Sequence, residues 1–185
     1  VNPVEIELTA DSAEKVYDGT ALTKDSYKIT KGAFVGEEGL KSVTVEGSRT
    51  LVGTAENKIT GYELKDNTKA KNYTITMKPG TLEVTKAEIA LKVKADDAER
   101  AYNGEALTKH SAKITEGDLA TGDRIVYTYT DDSTITDAGT QANKIASVQI
   151  LHGEGADAKD VTDNYSIKKV DGTLTVTKAP VTVTT

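Results

Sequence analysis

Hydrophobic residues alternate with polar ones wherever they cluster in this chain. In the first such segment Val4, Ile6 and Leu8 are separated by glutamates. A period of two places apolar side chains on one face of a half-buried β-strand. The same alternation recurs at Val43/Val45, Ile75/Met77, Leu82/Val84, Ile89/Leu91/Val93, Ile125/Tyr127/Tyr129, Val148/Ile150, Leu174/Val176 and Val181/Val183.

Turn-forming pairs separate these segments, and helix signals are weak. Asp-Gly, Asn-Gly and Pro-Gly pairs lie between the apolar runs, which is typical of short strands joined by tight turns. Three stretches, at 11–16, 65–70 and 96–101, are candidates for about one helical turn each. The pattern predicts an all-β, mainly antiparallel fold, and leaves open whether it is sandwich-like or β-grasp-like.

A tandem duplication is the strongest feature of the chain, because segments return in the same order after roughly 85 to 92 residues. The Asn-Tyr pair is among them, at Asn72-Tyr73 and again at Asn164-Tyr165. The longer repeated segments are 16–24 with 101–109, and 80–87 with 172–179. The repeat predicts two modules at 1–87 and 88–179, and an opening strand of a third at 180–185.

The junction between the predicted modules is short. Only Lys86-Ala87-Glu88 separates the last strand of the first copy from Ile89, and no Gly/Ser linker is present. Pro3 and Pro180 restrict the backbone at equivalent positions. We therefore expect neighbouring repeat modules to be each other's partners in a semi-rigid array.

Composition excludes several classes of function. The 23 basic residues are scattered among 29 acidic ones, so a nucleic-acid partner is not expected. No apolar run approaches the roughly 18 residues of a membrane span, so membrane insertion of this piece is not expected either. Cysteine is absent, which removes thiolate chemistry. The first residues show no signal-peptide pattern, so targeting segments are expected elsewhere in the parent protein.

Catalytic and cofactor signals are also weak. His110 and His152 have no counterpart in the first copy, and no hydrolase, metalloprotease or nucleotide-binding motif occurs. We therefore predict a chain that is not an enzyme and uses no cofactor. Two minor alternatives stay open: calcium binding by the loop of Asp157, Asp160 and Asp163, and a Lys-Asn isopeptide crosslink. The candidates for the crosslink are Lys58, Lys86, Lys144, Lys178, Asn57 and Asn143.

Some repeated residues suit a structural role better than a ligand. An aromatic residue before a glycine turn closes a β core more often than it binds a sugar, and glycine supplies the positive φ. This interpretation applies to Tyr17 and Gly19, and to Tyr102 and Gly104. The Asn72-Tyr73 and Asn164-Tyr165 pairs also match the N-glycosylation pattern. We interpret them as strand starts, with the asparagine bonded to nearby backbone and the tyrosine buried.

A binding surface, if there is one, is expected where the copies differ. Tyr127 and Tyr129 share one face of a strand, and the segment from His152 to Asp157 is an insertion relative to the first copy. Core burial of the two tyrosines is the alternative.

The repeated motifs resemble the YDG/MBG-type repeats of bacterial cell-surface and adhesin-like proteins. The resemblance rests on Tyr-Asp/Asn-Gly, on Gly122-Asp123, on Ala138-Gly139-Thr140 and on Asn-Tyr-x-Ile followed by Gly-Thr-Leu-x-Val-Thr-Lys-Ala. It implies an extracellular, wall-anchored or secreted parent protein and a mainly β fold with a grasp-like form, and it brings no catalytic residues. The first copy departs from it at Gly36-Glu37-Glu38-Gly39, which indicates that the Gly-Asp turn is not strictly required.

We therefore expect a structural spacer that holds a distal domain away from the cell. The alternative is an adhesive module that binds a host glycan or matrix protein.

Overall fold

The computed structural model describes residues 2–181. The chain divides into two compact units, Val1–Lys86 and Ala87–Thr185. The predicted opening strand at 180–185 falls largely on residues 182–185, which lie outside the described residues, while Pro180 and Val181 are in no strand.

The all-β prediction is confirmed. The first unit contains β1 (Val4–Ala10), β2 (Ala13–Val16), β3 (Tyr27–Lys31), β4 (Leu40–Glu46), β5 (Gly53–Leu64), β6 (Tyr73–Lys78) and β7 (Gly80–Thr85). The second contains β8 (Ile89–Ala95), β9 (Ala98–Ala101), β10 (Ala112–Glu116), β11 (Asp123–Tyr129), β12 (Gly139–Asn143), β13 (Ile145–His152), β14 (Lys159–Asp160), β15 (Tyr165–Val170) and β16 (Gly172–Thr177). The helical segments found in residues 2–181 are 3₁₀ turns at Ala70–Asn72, Gly155–Asp157 and Thr162–Asn164.

The three helical candidates were wrong. Residues 13–16 form β2 and residues 98–101 form β9, and both strands pair in parallel with the last strand of their unit. Of the third candidate, 65–70, only Ala70 is in a 3₁₀ turn. Ala, Glu and Lys are good helix formers, but helix propensity is worth less than about 1 kcal/mol per residue, so pairing with a distant strand overrides it.

Each unit is built around a two-stranded parallel ribbon that the sequence pattern did not predict. In the first unit β1 pairs with β6 over six residue pairs, and β2 then pairs with β7 over four. The second unit repeats this with six pairs between β8 and β15 and four between β9 and β16. The remaining pairs among the described strands are antiparallel, so the sheets are mixed.

Antiparallel strands complete the sheets on both sides of the ribbon. In the first unit the sheet orders are β3-β1-β6 and β2-β7-β5-β4. Residues 53–57 of β5 pair with β7, and later residues of β5 pair with β4. In the second unit Lys144 divides the equivalent strand into β12, which pairs with β16, and β13, which pairs with β11.

The hydrophobic core lies between these layers, which makes the packing sandwich-like. In the first unit Ile6 and Leu8 of β1 pack with Ile59 of β5, and side chains of β4 cover them. In the second, Val93 and Ala95 of β8 pack with Ile145 at the start of β13. The alternation seen in the sequence therefore reflects one buried face per strand.

A buried asparagine fixes the corner where the ribbon passes from one sheet to the other. Asn57 is fully buried and lies opposite Gly80. Its side-chain amide donates to the carbonyl oxygens of Asp11 at 2.8 Å and Lys24 at 2.7 Å. The first of these carbonyls belongs to the bend between β1 and β2, so one amide holds the bend and a neighbouring loop together.

The second unit has the same corner. Asn143 donates to the carbonyls of Asp96 at 2.9 Å and Lys109 at 2.7 Å. Gly172 lies opposite it, and a Cβ there would approach the Asp96 carbonyl oxygen to 2.5 Å. A Cβ at Gly80 would approach the Asp11 carbonyl oxygen equally closely, at 2.5 Å. The repeated glycine is therefore required because the bend packs directly on its Cα.

We expect Asn57→Ala to destabilise the first unit by about 1–3 kcal/mol, because two part-buried hydrogen bonds to backbone carbonyls are lost. Hydrogen exchange of the whole chain in denaturant, followed by mass spectrometry, reports each unit separately. Asn67→Ala is the control, since Asn67 is exposed and makes one long contact, 3.3 Å, to the Glu37 carbonyl. Equal protection of the first unit in both variants would contradict the role of the corner.

Candidate functional site

The repeated Asn-Tyr pair lies where the chain enters each unit. Tyr73 is the first residue of β6 and pairs with Val4, the first residue of β1. Tyr165 is the first residue of β15 and pairs with Ile89, the first residue of β8. The Asn-Tyr pair thus lies beside the start of the first strand of each unit.

Each of these tyrosines is buried and hydrogen-bonded to a carboxylate. The Tyr165 hydroxyl accepts from the Ala120 backbone N–H at 2.9 Å and donates to Asp123 at 2.5 Å. The Tyr73 hydroxyl accepts from the Val35 N–H at 3.1 Å and donates to Glu38. Glu38 thus takes the place of Asp123, so the contact persists in the copy that lacks the Gly-Asp turn.

These contacts keep both phenols protonated. Burial, followed by the hydrogen bond to Asp123, raises the pKa of Tyr165 far above its ordinary value. For Tyr73 the hydrogen bond to Glu38 is the main cause of the raised pKa. Each tyrosine therefore acts as a permanent donor that ties its strand to the loop before β4 or to the start of β11.

The second unit adds a histidine to this contact. His152 Nδ1 lies 2.7 Å from Asp123 Oδ1, and the Asp123 side chain is fully buried. Asp123 and His152 are also opposite one another in the β11–β13 pair. One carboxylate thus joins β11, β13 and β15, which is a structural tie between three strands.

The two asparagines of the motif have different surroundings. Asn164 is buried, and its Oδ1 accepts from the Ala87 backbone N–H at 3.1 Å while its Nδ2 donates to the Val161 carbonyl at 3.3 Å. Ala87, the first residue of the unit, is itself buried. The asparagine thereby fixes the segment that leads into β8.

In the first unit Asn72 is exposed. It borders a cleft of about 420 Å³ that is also lined by Asn2, Pro3, Val4, Val35, Glu38, Lys71 and Tyr73. The asparagine of the motif is therefore buried and hydrogen-bonded to Ala87 in the second unit, and exposed at the edge of an open cleft in the first.

The tyrosines of the glycine turns also differ. Tyr17 is 2% exposed and Tyr102 is 43% exposed, although the N–H of each donates to the equivalent carbonyl, Thr85 or Thr177. The glycines have φ of 78° at Gly19 and 83° at Gly104. This left-handed conformation is the reason why both turns use glycine.

Asp18 organises the turn in the first unit. Its Oδ1 accepts from Lys15 Nζ at 2.7 Å, from the Thr20 N–H at 2.8 Å and from the Thr20 hydroxyl at 2.7 Å. These bonds, with Lys15 contributing most, lower the pKa of Asp18 from 3.8 to about 2.

The structure does not gather the four residues proposed as a binding surface. Tyr127 and Tyr129 are half-buried on the face of β11 that packs on the core, and burial raises the pKa of both. His152 pairs with Asp123 at the other end of β11. Asp157 is exposed in a 3₁₀ turn beyond β13.

The residues of the two minor alternatives make other contacts. Asp160 accepts from Gln149 and from Thr162, and within residues 2–181 no group of three or more His, Asp and Glu side chains is placed to hold a metal ion. Lys58 is exposed and pairs with Glu56, and the half-buried Lys144 pairs with Asp132. The amide nitrogens of Asn57 and Asn143 donate to backbone carbonyls.

Comparison with known proteins gives no assignment. The chain matches no protein-family model and no curated protein. In the part of the chain that the structure describes, no helix has the length and apolar character needed to cross a membrane.

We expect Asp18 to contribute to stability above pH 3.8 and to lose that contribution as the pH falls through about 2, because folding lowers its pKa. The Asp18–Lys15 pair is exposed and screened, so the effect is less than about 1 kcal/mol. Thermal unfolding of wild type and Asp18→Asn across this range measures it. Parallel pH profiles for the two proteins would contradict the assignment.

We expect Asn164→Ala to weaken the second unit by about 1–3 kcal/mol, because the buried Ala87 N–H loses its acceptor. Exchange of the Ala87 amide proton should accelerate in this variant. Asn72→Ala is the matched control, since Asn72 is exposed and the change should cost less than about 0.5 kcal/mol. Unchanged exchange at Ala87 in Asn164→Ala would show that the hydrogen bond from the Ala87 N–H to Asn164 does not protect this amide.

Proposed function

We propose that this chain is a non-enzymatic, load-bearing spacer from a bacterial surface or secreted protein. The observation that carries the proposal is the parallel pairing of the first two strands of each unit with its last two.

When the chain is stretched, the two ends of a unit are pulled in opposite directions along the strands of the ribbon. The chain enters the first unit at the start of β1, beside Tyr73, and leaves it at the end of β7, beside Val16. Because β1-β2 and β6-β7 run in the same direction, tension on the chain slides one against the other along their length. The backbone hydrogen bonds of the ribbon are then loaded together rather than one at a time.

Both units present the same resistance to such tension. Six residue pairs followed by four hold the ribbon in each. The glycine and asparagine of each corner keep the two parts of the ribbon continuous across its bend. Since forced unfolding depends on the rate of unfolding, simultaneous loading of many bonds favours mechanical resistance.

Charged side chains lie on the ribbon and on the strands beside it. Lys31 of β3 pairs with Glu5 of β1, and Lys78 of β6 pairs with Glu7 of β1. In the second unit Lys92 of β8 pairs with Glu116 of β10. Charges on exposed strands discourage pairing with other sheets, which suits a chain present at high local density. The motif resemblance to surface repeats supports an extracellular location.

Single-molecule pulling tests the proposal. Stretching the chain from its two ends should give two unfolding events, each adding roughly 30 nm of chain for about 86 residues at 3.5 Å per residue. The control moves the attachment points to positions 41 and 65, at the open end of the β4–β5 hairpin, through the variants Lys41→Cys and Lys65→Cys. The absence of native cysteine makes this attachment specific.

The unfolding force should differ between the two pulling directions. Pulling at positions 41 and 65 separates antiparallel strands one hydrogen bond after another, so we expect a force several times lower than with end-to-end pulling. Unfolding of the first unit at an equally low force in the two directions would overturn the proposal.

A further inference from the structure

One turn of the second unit combines a reactive sequence with an open position. Asn103 is the only one of the seven asparagines that precedes a glycine. Asn103, Gly104 and Glu105 are all exposed. A Cβ added at Gly104 would meet no atom within 4 Å. Lacking a Cβ, Gly104 leaves its backbone nitrogen sterically free to approach the side chain before it.

Hydrogen bonds prepare the Asn103 side chain for attack at its Cγ. Oδ1 accepts from the Glu105 backbone N–H at 3.0 Å. Such a donor stabilises the negative charge that develops on a carbonyl oxygen during nucleophilic attack. Nδ2 lies 3.3 Å from Glu105 Oε2, which places a proton-transfer group beside the nitrogen that must leave.

From this geometry we propose that Asn103 is a self-modifying site, which deamidates without an enzyme. The Gly104 backbone nitrogen bonds to Asn103 Cγ and gives up its proton, the Cγ–Nδ2 bond breaks, and Nδ2 leaves as ammonia. The resulting succinimide then takes up one water molecule. Opening at the side-chain carbonyl gives aspartate and opening at the main-chain carbonyl gives isoaspartate, with no change in oxidation state.

The aspartate product would resemble the turn of the first unit. Position 103 corresponds to Asp18, and Arg100 corresponds to Lys15, the partner of Asp18. Arg100 Nε is buried and has no hydrogen-bond partner among the described residues. Its Nη1 lies 3.9 Å from the Glu105 carboxylate. A carboxylate at position 103 gives this guanidinium a second acidic neighbour, so the turn gains one negative charge.

The test follows the amide content of each asparagine while the full chain is kept folded in mildly alkaline buffer at physiological temperature. Proteolysis and mass spectrometry quantify the conversion. Asn67 is the internal control because it is exposed but precedes Thr68. We expect position 103 to lose its amide at least tenfold faster than position 67. Gly104→Ala should slow that loss, since the added Cβ hinders the attacking nitrogen; it meets no atom within 4 Å, although alanine is strained at the φ of +83°.

Equal amide loss at positions 103 and 67 would overturn the proposal, as would a rate that Gly104→Ala leaves unchanged. The contact between a carboxylate at position 103 and Arg100 is tested with the variant Asn103→Asp. Its thermal stability at neutral pH should exceed that of Asn103→Gln, and the added substitution Arg100→Gln should remove the difference. No difference between the two single variants would reject the contact with Arg100.

Discussion

The buried amide of Asn57, repeated as Asn143, is the interaction on which each unit depends. Both strands of the parallel ribbon must bend to pass from one sheet to the next, and a bend exposes backbone carbonyls that the sheet no longer satisfies. The asparagine supplies two donors at that point, to Asp11 and Lys24 in the first unit. Without them, these two carbonyls would lose their donor, and the two sheets would lose their common corner.

The two units keep this corner and vary what surrounds it. Glu38 replaces Asp123 as the acceptor of the tyrosine hydroxyl, although the two loops differ in sequence. The second unit adds His152 to the same carboxylate. Duplicated chains can diverge in this way because a hydrogen bond requires a suitable atom at the right place, and more than one residue type can provide it.

The sequence was sufficient for the strand content but not for the pairing. Alternation identified β1 and β8 because each buries a single face, and that signal is local. The ribbon joins Val4 to Tyr73, and such a distant pairing leaves no local pattern. The sequence of β2 resembled a helical turn because its partner strand, β7, is also distant in the sequence. Repetition marked Asn57 and Asn143 as equivalent, yet only the fold shows which carbonyls they bind. The sequence also could not show that Asn72 is exposed and Asn164 is buried, because the same motif lies in different surroundings in the two units.

Native-state hydrogen exchange measured residue by residue tests most directly the claim that the ribbon is the structural centre of each unit. The account predicts that the slowest amides are those of Ile6, Leu8, Leu82 and Val84, with their counterparts in the second unit, and that they exchange only when the whole unit unfolds. Amides of the outer strands β3 and β4 should open earlier. Exchange of the ribbon amides at or before those of β3 and β4 would contradict the account.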